Sequence, residues 1–244
     1  YLYISMEYIF NAQNYNLSCR HITNYLVNLT HQQDALLTRT VMLFTQRRTF
    51  DYEAEKPDTA SNYGIIMANE GKAFGEPAKR YALQLALEQI KGCKSEFSFT
   101  NEHMERGHEQ EPIARMLYEE INFVDVDNGG FFDHETYGDS PDGLIGVDGV
   151  IEIKSVIAAT HYSTITRGSF DPAYKWQLIG HLDCSGRHWV DFVSYCSDFP
   201  DGKQLAVYRL TASECAEEIE RLRSRRADFI NLVAETKKRI MEVS

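Results

Sequence analysis

The chain has 244 residues and 43% hydrophobic content, enough for one substantial core, and no run approaches the about 18 apolar residues of a membrane helix. The five cysteines form no Cys-x-x-Cys pair, which disfavours disulfides, zinc and iron–sulfur clusters; with no signal-like opening, a cytoplasmic location is expected. A net charge of −11 favours a protein that avoids nucleic acid, although DNA binding needs only a local basic strip.

The first 45 residues are rich in Tyr, Asn and Thr, and their leucines have mixed helical spacing. This pattern predicts an accessory helical segment over residues 1–45, whose role is to pack on the core or to bind a partner. A further helix is expected from Thr59, capped by Thr59 or Ser61. Residues 76–91 predict an amphipathic helix that ends at Gly92.

Residues 104–118 predict a helix that starts or kinks at Pro112. Its buried face is expected to carry Met104, Ile113, Met116 and Leu117. Glu111 would lie on the apolar side or at its margin, where a carboxylate is costly unless it has a partner such as a metal ion. A solvated acid near the positive end of the helix dipole explains the same position.

Strands are predicted near residues 121–126, 130–137, 143–147, 149–156, 188–195 and 204–210. Glycines between short apolar runs predict a hairpin from Ser140 to Lys154. Glu152 and Lys154 would share one face of its second strand, and Asp142 would return to that face across the turn.

Two carboxylates and an ammonium that converge in this way suit a hard cation and a phosphate. An ordinary half-exposed hairpin produces the same alternation, so the spacing alone does not decide. Further along the chain, Gln177 lies in an apolar helix, where it either serves the site or faces solvent.

The last predicted helix begins with a capping box at residues 211–214 and runs to about Met241. Its basic residues indicate either a charged face paired with neighbouring acids or a face that contacts DNA. They are Arg221, Arg223, Arg225, Arg226, Lys237, Lys238 and Arg239. Arg167, earlier in the chain, is either a phosphate contact or an exposed residue.

In chain order these segments resemble the lambda exonuclease family, also described as YqaJ-like viral recombinases, within the PD-(D/E)xK nuclease superfamily. The resemblance covers about residues 46–200, and its motifs are Thr59–Ser61, Arg106–Pro112, Ser140–Gly143, Glu152–Lys154, Gln177 and Asp191–Tyr195. The family usually has an Arg shortly before Thr-Ala-Ser, thought to contact the 5′ phosphate. This chain departs from that pattern, and Lys56 is the nearest cation.

The resemblance implies an α/β fold with a restriction-endonuclease-like core, a central mixed sheet flanked by helices, over residues 46–244. It implies a Mg²⁺-dependent exonuclease, with Mn²⁺ as a substitute, that digests linear double-stranded DNA from 5′ to 3′. The 3′ single-stranded tails would serve homologous recombination in a bacterial or phage-infected cell. Implied partners are double-stranded DNA ends, a single-strand annealing protein and two further copies in a homotrimer, without a membrane.

The resemblance also implies roles for particular residues. Metal ions would be held by Asp142, Glu152, the main-chain carbonyl of Ile153 and Glu111. Lys154 would orient and help deprotonate the nucleophile and stabilise charge on the phosphate, and Gln177 would position water or phosphate. DNA contacts would come from Arg167, Lys56, Thr59 and Ser61.

Two other functions remain open at this point. A structure-specific or site-specific endonuclease on the same fold would use the same chemistry, and cleavage of closed circular DNA would reveal it. An inert DNA-binding module is the other alternative. The intact set of Asp142, Glu152 and Lys154 argues against it.

Overall fold

The computed structural model of the chain describes residues 60–93 and 102–243, without the side chains of residues 102–105 and 108. These residues belong to the compact unit Glu55–Ser244. The predicted accessory segment 1–45 and the candidate DNA contacts Lys56 and Thr59 lie outside the described residues. Within the described ranges, no helix combines the length and apolar character needed to cross a lipid bilayer.

The described elements alternate between helices and short strands. The helices are α1 (Tyr63–Met67), α2 (Glu76–Lys91), α3 (Glu102–Asn122), α4 (Ala158–Arg167), α5 (Lys175–Ser185) and α6 (Ala216–Glu242), with 3₁₀ turns at Ala60–Asn62 and Pro172–Tyr174. The strands are β1 (Val126–Asn128), β2 (Phe132–Asp133), β3 (Gly138–Asp139), β4 (Gly143–Ile145), β5 (Gly149–Ser155), β6 (Trp189–Tyr195) and β7 (Leu205–Thr211).

Five of these strands form one mixed sheet in the order β1-β4-β5-β6-β7, and β2 and β3 form a separate ribbon. The central pair β5–β6 is parallel, whereas β1–β4, β4–β5 and β6–β7 are antiparallel. A parallel pair needs a long crossover, and here α4 and α5 lie between β5 and β6 in the chain. The predicted central mixed sheet flanked by helices is therefore confirmed.

Strand β5 alternates between two hydrophobic cores. Val150 is fully buried in a core shared with α1, α2, α5 and α6, whereas Ile151 and Ile153 belong to a second core with Ala114 and Tyr118 of α3. Full burial of an aliphatic side chain is worth about 1.5–3 kcal/mol, so this alternation fixes which face of β5 each residue occupies. Glu152 and Lys154 thus share one face, as the hairpin pattern predicts.

Helix α2 matches its prediction, whereas α3 differs from the predicted helix in its start, its end and its buried face. Pro77 begins the first turn of α2, and Gly92, in the left-handed region at φ 68°, closes its last turn. Helix α3 begins at Glu102 and runs through Pro112, so of the two predicted possibilities, a start or a kink at Pro112, the start is wrong. It also continues to Asn122, where a strand was predicted, and only Val126–Asn128 is extended.

The buried face of α3 is also different from the predicted one. Ala114 and Tyr118 are buried, whereas Ile113 and Met116 are 44% and 57% exposed, and Leu117 packs at the edge of the core. The sequence pattern predicts the neighbouring face because Ile and Met are more hydrophobic than the Ala and Tyr residues that are buried. The buried stripe places Glu111 at the margin of the helix–sheet contact.

Helix α5 lies close against α1 and the sheet. A Cβ added to Gly180 would lie 2.5 Å from the ring of Tyr63, a separation that real side chains do not reach, so only glycine allows this approach. Leu178, Ile179 and Leu182 are buried in the same core. The close packing carries the polar residues of α5 over strand β5.

Candidate active site

Asp142 lies immediately before β4, beside the second strand of the predicted hairpin. The main-chain N–H of Ile153 donates a 2.6 Å hydrogen bond to Oδ2 of Asp142. The main-chain carbonyl of Asp142 accepts a hydrogen bond from the guanidinium of Arg115 on α3. The Asp142 carboxylate is thereby tied to β5, and its backbone to α3.

Glu152 is almost fully buried, with 2% of its side chain exposed, and protein donors engage both of its oxygens. Oε1 accepts a 2.6 Å hydrogen bond from Nε2 of Gln177 and contacts Nζ of Lys154. Oε2 lies 2.9 Å from Nε2 of His181. Because a buried carboxylate without donors is costly, these contacts keep Glu152 charged inside the fold.

His181 connects Glu152 to a further buried acid. Nδ1 of its imidazole lies 2.7 Å from Oδ2 of Asp139, the last residue of β3, and the side chains of both are nearly inaccessible. Burial alone would lower the pKa of His181, but the charges of Asp139 and Glu152 and the hydrogen bonds to them raise it to about 10. The imidazolium therefore donates from both ring nitrogens at neutral pH.

Lys154 lies at the solvent side of the cluster, with 27% of its side chain exposed and its Nζ 5.5 Å from the ring centroid of Tyr174. Burial favours a lower pKa, but the charges of Glu152 and Asp142 raise the pKa of Lys154 above its ordinary value. Lys154 is consequently an ammonium. Opposite charge of this kind also holds the pKa of Glu152 at about 2, although burial alone would raise it.

Asp142 shows the opposite behaviour. Burial, followed by the negative charges of Glu152 and Glu111, raises its pKa well above the ordinary value, and the opposing effects of Lys154 and the Ile153 N–H do not compensate. Like charges gathered at one place disfavour ionisation, and an added cation would reverse this. Asp142 therefore occupies a position where a positive ligand would be stabilising.

Glu111 takes part from the edge of the cluster. Its side chain is 31% exposed, and its Oε1 accepts a hydrogen bond of 3.2 Å from Nη2 of Arg115, one turn further along α3. Its charge reaches Asp142, as the raised pKa of Asp142 indicates. Arg115 thus bridges the side chain of Glu111 and the main chain of Asp142.

The donors suit a hard divalent cation by their chemistry, because carboxylate and carbonyl oxygens are the ligands that Mg²⁺ and Mn²⁺ prefer. In the described ranges, however, no three His, Cys, Asp or Glu side chains form a ready-made metal cluster. Instead, the Glu152 carboxylate pairs with the ammonium of Lys154, and the Glu111 carboxylate pairs with the guanidinium of Arg115. The charges of Glu152 and Glu111, which raise the pKa of Asp142, are negative charges that a bound divalent cation would offset as it displaces the proton.

The structure brings Asp142, Glu152, Lys154 and Gln177 together, with Glu111 at the margin. Among the candidate DNA contacts, Arg167 ends α4 and lies 3.5 Å from Asp171, and Ser61 is exposed in the first 3₁₀ turn. The pairing of Arg167 with Asp171 assigns it no part in the acidic cluster.

Sequence reasoning missed three members of the cluster. His181 follows Gln177 by four residues on α5, and helical spacing would have placed both on one face. Arg115 follows Glu111 by the same interval on α3. Asp139 gave no signal, because its contact with His181 joins residues 42 positions apart.

Comparisons with known proteins identify relatives of the chain. The sequence model of the YqaJ-like viral recombinase domain matches residues 55–188. The chain is 30% identical to an alkaline exonuclease (LHK-Exo) from Laribacter hongkongensis, covering 78% of this chain and 96% of that one with a TM-score of 0.64. The same exonuclease in complex with dAMP gives 31% identity, coverages of 77% and 95%, and a TM-score of 0.65.

A more distant structure shares the fold alone. A phage-related exonuclease from Haemophilus somnus 129PT is 13% identical, with coverages of 75% and 96% and a TM-score of 0.55. No curated protein sequence matches the chain significantly.

Proposed function

The chain belongs to the YqaJ-like viral recombinase domain family and is a nuclease of the lambda exonuclease type, with a restriction-endonuclease-like fold; on this premise we propose its specific activity. It is a Mg²⁺-dependent exonuclease that digests one strand of linear double-stranded DNA from 5′ to 3′. The 3′ tails that remain serve homologous recombination with a single-strand annealing protein. Mn²⁺ substitutes for Mg²⁺.

The observation that best supports this proposal is the pairing of Asp142 and Glu152 beside the ammonium of Lys154. Asp142 lies among negative charges that a bound cation would offset, while Glu152 is already held as a carboxylate. Asp142, Glu152, Glu111 and the main-chain carbonyl of Ile153 would hold the metal. The chemistry that a bound divalent ion supplies is an activated water at neutral pH and neutralisation of phosphate charge.

The residues of the chain then have distinct tasks. Lys154 places an ammonium beside the phosphate and stabilises negative charge that develops there. Because the pKa of Lys154 is raised, charge stabilisation suits it better than uptake of a proton from the nucleophile. Gln177 donates one amide hydrogen to Glu152, which orients its side chain toward water or phosphate at the same place.

The relatives support DNA as the substrate. The similar alkaline exonuclease was solved with dAMP, a deoxynucleoside monophosphate, which is the product expected from stepwise hydrolysis of a DNA strand. The 5′-to-3′ direction follows from the family resemblance.

The test uses a linear duplex labelled at the 5′ phosphate of one strand and a matched duplex labelled at the 3′ end of the same strand. With Mg²⁺, we expect early release of the 5′ label as mononucleotide and late release of the 3′ label. A covalently closed circle should remain intact, and EDTA should abolish hydrolysis. Glu152→Gln is the inactive control, with a loss of about 10²-fold or more.

Each of the other possible outcomes would indicate a different activity. Early release of the 3′ label would reverse the proposed direction. Cutting of the closed circle would identify an endonuclease. DNA binding without hydrolysis under any divalent ion would leave the inert binding module.

A further inference from the structure

Three buried side chains form a continuous polar chain behind the candidate active site. Asp139, His181 and Glu152 lie in β3, α5 and β5, and at most 2% of each side chain is exposed. The imidazole is 2.7 Å from Asp139 and 2.9 Å from Glu152. None of the sequence motifs that indicate the nuclease family gives Asp139 or His181 a role.

The two oxygens of Glu152 face different surroundings. Oε1 contacts Lys154 and accepts from Gln177, on the side where Lys154 is part-exposed. Oε2 contacts His181 in the interior. Gln177 and His181 are one helical turn apart on α5, so a single rigid helix holds both oxygens and fixes the carboxylate plane.

Asp139 also helps to position the second candidate metal ligand, Asp142. Asp139 precedes Asp142 by three residues. Its contact with His181 attaches the segment that leads to Asp142 to helix α5. A buried charged chain of this kind is weak as a source of stability, since well-packed apolar residues in its place are often equally stable. Its direct contact with Glu152 points to a task in the site instead.

We propose that His181, oriented by Asp139, is a positioning residue that anchors Oε2 of Glu152 and presents Oε1 to the metal and the substrate. The inference rests on the proposed function, because it assigns Glu152 to a divalent ion. Hydrogen-bond partners of metal-ligating carboxylates typically change metal affinity or activity by about 10–100-fold when they are removed. His181 and Asp139 act through Glu152 and touch no reacting atom.

The chain offers a matched control in His161. It is as buried as His181 and makes two hydrogen bonds, to Ser194 and to the carbonyl of Lys203, in the contact between α4 and the sheet. Replacement of either histidine by glutamine removes a buried imidazole of equal size. Only His181→Gln removes a contact with Glu152.

The experiment measures four quantities for wild type, His181→Gln and His161→Gln. They are the affinity for Mn²⁺ by calorimetry without DNA, kcat and KM on linear duplex, and the melting temperature. We expect His181→Gln to lose about 10–100-fold in Mn²⁺ affinity or kcat with KM for DNA within about two-fold. His161→Gln should lower the melting temperature and leave both quantities within about two-fold. Wild-type Mn²⁺ affinity and kcat in His181→Gln, or equal losses in both variants, would overturn the inference.

Asp139→Asn provides a second variant of nearly unchanged shape, and decides the matter if His181→Gln does not fold. It should reduce kcat or Mn²⁺ affinity, and the double variant should be no worse than His181→Gln, because Asp139 acts through His181. Fully additive losses, or wild-type behaviour of Asp139→Asn, would contradict the proposed chain. If wild type binds Mn²⁺ but hydrolyses no DNA, the proposed function fails, while the calorimetric comparison still tests the positioning role.

Discussion

Asp142 is held where its charged form is disfavoured, and this has a consequence for stability. Its pKa is raised because the carboxyl is buried next to Glu152 and Glu111. The folded protein thus binds the proton more tightly than the unfolded chain does. The free energy of unfolding contributed by this group therefore falls as the pH rises from the ordinary pKa of 3.8 through the raised one.

We expect Asp142→Asn to abolish hydrolysis and to stabilise the metal-free protein at neutral pH. Asn cannot ionise, and its amide oxygen can still accept from the N–H of Ile153. A gain of about 1 kcal/mol would raise the melting temperature by about 2–4 °C. The measurement is thermal unfolding in EDTA at pH 5 and pH 8.

The difference in melting temperature between Asp142→Asn and wild type should increase from pH 5 to pH 8. It should decrease when Mn²⁺ stabilises the wild type. If the variant melts below wild type at pH 8 in EDTA, the ionised form of Asp142 does not destabilise the metal-free fold. Glu111→Gln serves as a control, because it removes one of the negative neighbours and should also stabilise the metal-free form.

At the scale of elements, α6 shows how its basic residues are used. Arg221 pairs with Glu70, Arg223 with Asp183 and Glu220, and Arg226 with Asp183. Lys238 and Arg239 approach Glu242 and Glu235 within 4 Å. These contacts favour the interpretation of a face paired with neighbouring acids over that of a DNA-contacting face.

Arg226 and Arg221 should differ sharply in their effect on stability. Arg226 is 5% exposed, lies 2.7 Å from the buried Asp183, and stacks 3.5 Å from the ring centroid of Tyr137. Removing one partner of such a pair typically costs about 3–5 kcal/mol, because the other charge stays buried. Arg221 is half exposed, and its pair with Glu70 is worth at most about 1 kcal/mol.

The comparison is denaturant unfolding of Arg226→Met and Arg221→Met. We expect a loss of about 3–5 kcal/mol for the first and under about 1 kcal/mol for the second. Equal losses would mean that Arg223, which also pairs with Asp183, is sufficient to compensate this buried charge.

A second element-scale prediction concerns the end of α4. If Arg167 contacts a DNA phosphate, Arg167→Glu should weaken binding to all duplex sequences. It should also lower the slope of log affinity against log salt by about 1. Arg239→Glu on α6 is the matched control, since Arg239 is 80% exposed and has an acid one turn away, as Arg167 does. Equal affinities for both variants, measured with Ca²⁺ to suppress cleavage, would make Arg167 an ordinary surface residue.

The elements also show what the sequence can predict. Alternation in β5, and the apolar spacing and closing Gly92 of α2, are local patterns, and both predictions are confirmed. The prediction for the end of α3 is wrong, because Ile121, Phe123 and Val124 are residue types that favour a strand, whereas the helix continues to Asn122 and ends at Phe123, which has φ 54°. Asp139 joins the cluster through a contact that exists only after folding, so no local pattern could reveal it.

For the whole molecule, the charge of −11 has to be reconciled with a DNA substrate. Several basic residues are already occupied by acids of the same chain, among them Arg209, which pairs with the buried Asp191. Assembly of several copies would place a few basic residues from each around the duplex and leave the negative charge outside.

We expect the protein to be a ring-shaped homotrimer, as the family resemblance implies. A closed ring keeps the duplex from dissociating between cuts, whereas a monomer or a two-fold dimer would release it after a few. Light scattering at low micromolar concentration should give three times the single-chain mass of 28.0 kDa. Digestion with excess unlabelled duplex added after the start should continue on the labelled molecules. A mass of one chain, together with an immediate stop on addition of competitor, would replace the ring with a distributive monomer.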